Sequence, residues 1–184
     1  MSIASTRVSP AGATRVGPVG MWIFLATDAM GFGGLFIAYG VLRTHADVWS
    51  DVHGRLALAP AAMMTFALLT SSLTITLATR AEAGRRRAWL GATLALGLAF
   101  LGGAVVEYAH LAADMGFASN LGASTFYALT GYHALHVFAG VIALGVLIVR
   151  RGAAERSADV VALYWHFVDL AWMPIFTFVY LLPS

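Results

Sequence analysis

Cysteine is absent from this sequence, and so is lysine. Without cysteine there are no disulfide frameworks, thiolate zinc sites, iron–sulfur clusters or thiol nucleophiles. Charge is scarce too: 11% of residues are acidic or basic, against about a quarter in soluble domains. What is there instead is apolar, 60% of 184 residues, with a mean hydropathy of +0.80. A water-soluble domain of this size has no place for so much apolar surface, so the solvent that accepts it is lipid. The net charge of +2 comes from arginines in short clusters between apolar runs. They read as topology signals and not as a nucleic-acid face.

Residues 1–19 form a polar tail with Pro10 and Pro18 and no apolar core of the kind a cleavable signal needs. Five apolar stretches follow in a single domain over 20–184, at roughly 20–43, 59–79, 88–112, 123–149 and 160–182. Each is about 20 residues or longer, enough for a helix to cross a hydrocarbon layer of about 30 Å. Barrel strands would be about half that length and alternate in polarity, and these runs do neither. The fold class that follows is all-α, an integral membrane bundle of five transmembrane helices. Arg7, Arg15, Arg80, Arg85, Arg86, Arg87, Arg150, Arg151 and Arg156 fall on one side, and only Arg43 and Arg55 on the other. That bias puts the N-terminus in the cytoplasm and the C-terminus outside.

Within the spans sit Asp28, Glu107, Asp169, His133, His136 and His166. An ionisable group at mid-helix costs about 2.5 to 3.5 kcal/mol on insertion scales, so these side chains should face protein, water or a partner. Asp28 lies about 12 Å along its helix from the cytoplasmic end, at 1.5 Å per residue, beside Gly31, Gly33 and Gly34, which permit close helix approach. It reads either as a hydrogen-bonded carboxyl at a helix contact or as a proton-responsive group.

His133 and His136 share a helix face at i and i+3, and His166 and Asp169 repeat that spacing on the last helix. A mononuclear metal site needs three or four convergent ligands, and a bis-histidine haem needs opposed imidazoles. Interhelical hydrogen bonding is therefore favoured over metal or haem ligation, with Asp169 as the natural partner of the histidines. Glu107 reads as an interfacial acid or as a partner of His133. Pro174 predicts a kink just beyond the His166–Asp169 face.

Trp22, Trp49 and Trp89 lie at span ends as interface anchors, whereas Trp165 and Trp172 lie deeper. Trp22, Trp165, Trp172, Tyr108 and Tyr164 are the candidate contacts to lipid or a neighbouring subunit. Hydrolase elbow, phosphate loop and zincin pair are all missing. A stand-alone enzyme with its own catalytic residues is therefore not expected, and the small-residue faces suit packing beside other membrane subunits.

Three segments together resemble subunit III of haem–copper terminal oxidases. They are Gly20-Met21-Trp22-Ile23-Phe24-Leu25-Ala26-Thr27-Asp28 with Phe32-Gly33-Gly34-Leu35-Phe36, then Thr130-Gly131-Tyr132-His133-Ala134-Leu135-His136-Val137, and Tyr164-Trp165-His166-Phe167-Val168-Asp169 followed by Trp172 and Tyr180. The resemblance spans about residues 18 to 182 and is to the five-helix form, which lacks the first two helices of longer members. Asp28 stands where the family usually has Glu, and Ala104 where it often has Gln.

The resemblance implies an accessory subunit of a cytochrome c oxidase type complex in a bacterial inner membrane. It would pack on subunit I, with subunit II or a larger supercomplex nearby, while haem and copper reside on the catalytic partner. The implied roles are to sustain proton uptake, to hold structural phospholipid and to limit turnover-linked inactivation. Asp28, Glu107, His133, His136, His166 and Asp169 would be its polar, proton-tuning network. Rival readings are the equivalent subunit of a quinol oxidase or a nitric oxide reductase, an assembly protein, and, from another class, a bis-histidine cytochrome b anchor.

Overall fold

The computed structural model describes residues 16–45, 56–114, 120–150 and 155–182. It is an all-α bundle of five helices: α1 Val16–His45, α2 Leu58–Arg80, α3 Ala83–Asp114, α4 Leu121–Val149 and α5 Glu155–Phe176, which runs on into a π turn at Thr177–Leu181. All five are long and apolar enough to cross a membrane. In hydrocarbon every backbone N–H and C=O needs a partner within the chain, and a helix supplies one from its own ladder.

The helices outrun the apolar stretches. α1 opens at Val16, so Pro18 falls in its first turn, where a missing N–H costs nothing. Pro60 stands likewise in the first turn of α2. α3 opens at Ala83, which takes Arg85, Arg86 and Arg87 out of the loop where the sequence had placed them and into its first turns. Arginine is a good helix former, and a helix continues past the hydrocarbon edge wherever its side chains reach headgroups or water. Asn120 caps α4, its side-chain oxygen accepting from the Ala123 amide at 2.7 Å. Trp49 and Arg55, together with most of the N-terminal tail, lie outside the described residues.

α2 lies against α3 and α5, α4 against α3 and α5, and α1 against α4 and α5 on the outside of the bundle. Pro174 is inside α5, and the π turn opens three residues later. The wider turn leaves carbonyls that Arg43 collects from across the bundle: its guanidinium donates to the Phe178 carbonyl at 3.1 Å and to the Leu182 carbonyl at 3.2 Å. Arg43 therefore ties the end of α1 to the end of α5.

The centre is aromatic. Phe100, Trp165 and Trp172 are almost wholly enclosed, and the Trp165 ring is seated between two glycines. A Cβ on Gly97 would stand 2.6 Å from Trp165 Cη2, and one on Gly140 2.8 Å from Cε3 and Cζ3. Only the missing side chains of α3 and α4 let an indole from α5 enter this far.

Candidate functional site

Asp28 of α1 is 9% exposed and faces α4. Its carboxyl receives the Tyr132 hydroxyl at 3.0 Å and meets His136 Nε2 at 3.1 Å through Oδ1 and 3.0 Å through Oδ2. Gly31 makes room for this contact, since a Cβ there would stand 2.9 Å from the Tyr132 hydroxyl. The other ring nitrogen of His136 lies 2.7 Å from the Tyr132 carbonyl. A carbonyl only accepts, so Nδ1 carries a hydrogen. That leaves Nε2 and the carboxyl to share one proton: neutral acid against neutral imidazole, or carboxylate against imidazolium. In both arrangements the pair is neutral overall, which is how an acid and a base are tolerated at this depth. Tyr164 of α5 donates to the His136 carbonyl at 2.9 Å and closes the group from a third helix.

His136 thus has Asp28, and not Asp169, as its acid. His133 pairs with neither Glu107 nor Asp169. It is 0% exposed, its ring centroid 5.5 Å from that of Phe100 and 5.0 Å from that of Trp172, with no hydrogen-bond partner at either nitrogen. Glu107 receives the Tyr180 hydroxyl at 2.6 Å instead. It does not end its helix, because α3 continues to Asp114. Tyr108 bonds Thr130 at 2.7 Å. His166 goes to α2, with Nδ1 2.6 Å from the Ser72 hydroxyl and Nε2 3.3 Å from that of Thr76.

The tryptophans separate. Trp22 is 62% exposed and free to meet lipid or a neighbour. Trp165 and Trp172 are enclosed, their indoles donating to Ser71 at 2.8 Å and Thr65 at 2.9 Å, and Tyr164 is buried as well. The expectation that these three reach lipid or another subunit is corrected: glycines and α2 hydroxyls admit them to the interior.

Sequence reasoning did not single out Thr65, Ser71, Ser72 and Thr76 of α2, nor Tyr132. The signal for the first group was the density of hydroxyls along an otherwise apolar helix, which in lipid has to be answered by partners on neighbouring helices.

Among the described residues no three His, Cys, Asp or Glu side chains converge as a metal site would need. His136 and His166 both have their two ring nitrogens engaged within the bundle, so neither offers a free axial nitrogen for a bis-histidine haem. What the arrangement can do chemically is hold and hand over protons. Separately, an open apolar groove of about 1140 Å³ runs between α2 and α3 past Pro60, Met63, Gly102 and Val106 to Glu107 and His110.

The family described as Cytochrome c oxidase subunit III matches residues 12–184. Cytochrome c oxidase subunit 3 of Thermostichus vulcanus is 36% identical over 175 residues, covering 89% of this chain and 86% of that protein. Subunit 3 of the cytochrome bo(3) ubiquinol oxidase of Pseudomonas aeruginosa is 36% identical over 177 residues, 90% of this chain and 84% of its own. Cytochrome c oxidase subunit 3 of Bacillus subtilis is 36% identical over 177 residues, 89% and 85% of the two chains.

Proposed function

Because the chain belongs to the cytochrome c oxidase subunit III family, accessory subunits of haem–copper oxidases, we propose that it sustains proton delivery to a catalytic subunit through the Asp28–His136 pair. The observation that carries this reading is the contact of His136 Nε2 with both Asp28 oxygens, 3.1 and 3.0 Å, while the Tyr132 carbonyl engages Nδ1 at 2.7 Å. Asp28 is about 4 Å from the midpoint of α1 at 1.5 Å per residue, in the half that begins at Val16. By the arginine bias that half is cytoplasmic, the side from which an oxidase takes its protons.

Oxygen reduction, with haem and copper, belongs in this reading to subunit I, against which the chain packs, with subunit II or further subunits beside it. The chain is then part of an oxidoreductase complex in the bacterial inner membrane without a catalytic centre of its own. Proton tuning is assigned to Asp28 and His136 first, with Glu107, His133, His166 and Asp169 as the rest of the polar network. The groove between α2 and α3 offers acyl chains an apolar bed with Glu107 and His110 at one end, which suits a structural phospholipid.

The test is Asp28→Ala in the whole complex. Assembly should persist, while steady proton uptake or the lifetime during turnover falls. A variant complex that assembles, pumps and ages like its parent refutes the role. The similarity to the Pseudomonas aeruginosa ubiquinol oxidase subunit favours a quinol-oxidising complex as the second reading. Assaying the purified complex with reduced cytochrome c and with a quinol separates the two.

A further inference from the structure

The groove between α2 and α3 opens over one half of the helix pair. Toward the Arg80 end the two helices are closed by a buried hydrogen bond between the Thr74 and Thr93 hydroxyls, 2.8 Å long. Toward the other end small residues on both walls, among them Ala67, Ala99, Gly102 and Gly103, leave the space unfilled. Along α2 the groove runs from Ala57 to Ala67, about 15 Å at 1.5 Å per residue. That is half of a hydrocarbon layer of about 30 Å, the depth of one leaflet.

The register of the two helices places its polar end. Met64 lies across Gly103, its sulfur 2.8 Å from where a Cβ would stand. The helices run antiparallel, so Glu107, one turn beyond Gly103, is level with Pro60 in the first turn of α2, and His110 with Ala57 just before it. Glu107 and His110 are the ionisable residues among those that line the groove. The polar end therefore sits where α2 begins, and the apolar bed descends from it.

Shape and charge together select the occupant. A transmembrane helix is about 10 Å across and runs through both leaflets, so the closed Thr74–Thr93 half offers it no bed, whereas the acyl chains of a single leaflet end where the groove ends. At the polar end Tyr180 takes Oε2 of Glu107, and Oε1 has no partner among the described residues. A carboxyl beside lipid is costly unless a cation or a donor meets it. Facing it, α2 starts from Ala57, which has no side-chain oxygen for the first amides, so this wall presents the positive end of a helix dipole. His110 is exposed and adds an N–H donor at the same end. An acid with donors beside it matches a headgroup that carries both an ammonium and a phosphate. A primary ammonium has N–H groups to give the carboxyl; a choline has none, and a glycerol headgroup brings no cation.

We propose that the groove is a site for one phospholipid with an ethanolamine headgroup, its ammonium on Glu107, its phosphate toward His110 and the start of α2, and its chains between α2 and α3. The site is separate from Asp28–His136, and the proposal rests on the reading of the groove as a lipid bed.

Native mass spectrometry of the purified complex counts the lipids kept and identifies their headgroups. The complex is stripped of loosely held lipid in detergent, then given equal amounts of phosphatidylethanolamine, phosphatidylcholine and phosphatidylglycerol with identical chains. The parent should keep one ethanolamine lipid that Gly102→Leu does not. Gly102 lines the groove with nothing within 4 Å of its Cβ position, so leucine fills the groove without displacing a neighbour. Glu107→Gln keeps an acceptor for Tyr180 and should still hold that lipid, while the preference for ethanolamine over choline, about tenfold for one hydrogen bond to a charged group, disappears. If Glu107→Gln does not assemble, the headgroup preference of the parent alone decides. An unchanged preference in Glu107→Gln, or a parent that keeps choline or glycerol lipids as readily, overturns the headgroup assignment and leaves the lipid bed standing. The same lipid count in parent and Gly102→Leu, as when a helix of another subunit covers the groove, overturns both. Neither outcome touches the Asp28→Ala test of proton uptake.

Discussion

Replacing Gly140 by alanine tests the seating of Trp165 more sharply than removing the indole would. The new Cβ would stand 2.8 Å from two carbons of the Trp165 ring and 3.2 Å from a ring carbon of Tyr164, where carbon atoms at rest are about 3.5 to 4.0 Å apart. The ring has nowhere to retreat. Its next edge is 2.6 Å from the Cβ position of Gly97, its Nε1–H is held by Ser71 at 2.8 Å, and none of it is exposed. Overpacking of this kind costs about 1–3 kcal/mol, against which alanine gains up to about 1 kcal/mol over glycine in a helix interior.

Gly145 separates the two effects, because it lies on the same helix with nothing within 4 Å of its Cβ position. Gly145→Ala should be neutral or stabilising by up to about 1 kcal/mol, and Gly140→Ala should be less stable than Gly145→Ala by about 1–3 kcal/mol. Unfolding of each purified variant in mixed micelles with rising SDS, followed by tryptophan fluorescence, measures the difference. Equal midpoints for the two variants would refute the notch formed by α3 and α4 as the reason Trp165 is buried.

Two further outcomes can be read on the same preparation. Tyr180→Phe removes the hydroxyl that Glu107 receives at 2.6 Å and leaves both carboxyl oxygens unpartnered, so it should cost about 1–3 kcal/mol in that titration. Glu107→Gln keeps an acceptor for Tyr180 and should cost less. Arg43→Gln releases the Leu182 carbonyl and leaves the Phe178 carbonyl to the Tyr39 hydroxyl alone, 3.2 Å away. Amide hydrogen exchange across 177–182 should then speed up while α2, α3 and α4 stay protected, and an unchanged pattern in the π turn would show that Arg43 is not what holds it.

How far the site was legible varies by residue. Asp28, Glu107, His133, His136, His166 and Asp169 stand out from the sequence because each is ionisable inside an apolar run, whatever it touches. Their partners do not stand out. Asp28 meets a histidine 108 positions away and Glu107 a tyrosine 73 positions away, and neither spacing leaves a local trace. Spacing on a single helix pointed the histidines toward Asp169. Yet His166, its neighbour on one helix face, turns to the hydroxyls of Ser72 and Thr76 on another helix, and among the described residues neither Asp169 oxygen has a hydrogen-bond partner. The inward tryptophans were misplaced for a related reason: depth along the chain can be read from hydropathy, but whether a face turns in or out depends on the small residues opposite, here Gly97 and Gly140.

Composition and run length by themselves determined the solvent and the secondary structure, since in hydrocarbon a run of about 20 apolar residues satisfies its backbone in no other simple way than as a helix. They also determined which side chains would be costly to insert. Only the tertiary structure decided which partner relieves each cost. Several hydroxyls, carboxyls and imidazoles of similar chemistry compete for every buried polar group, and the choice among them follows from how the helices interlock, as α2, α3 and α4 do around Trp165 of α5, a property of faces in contact that no single segment contains.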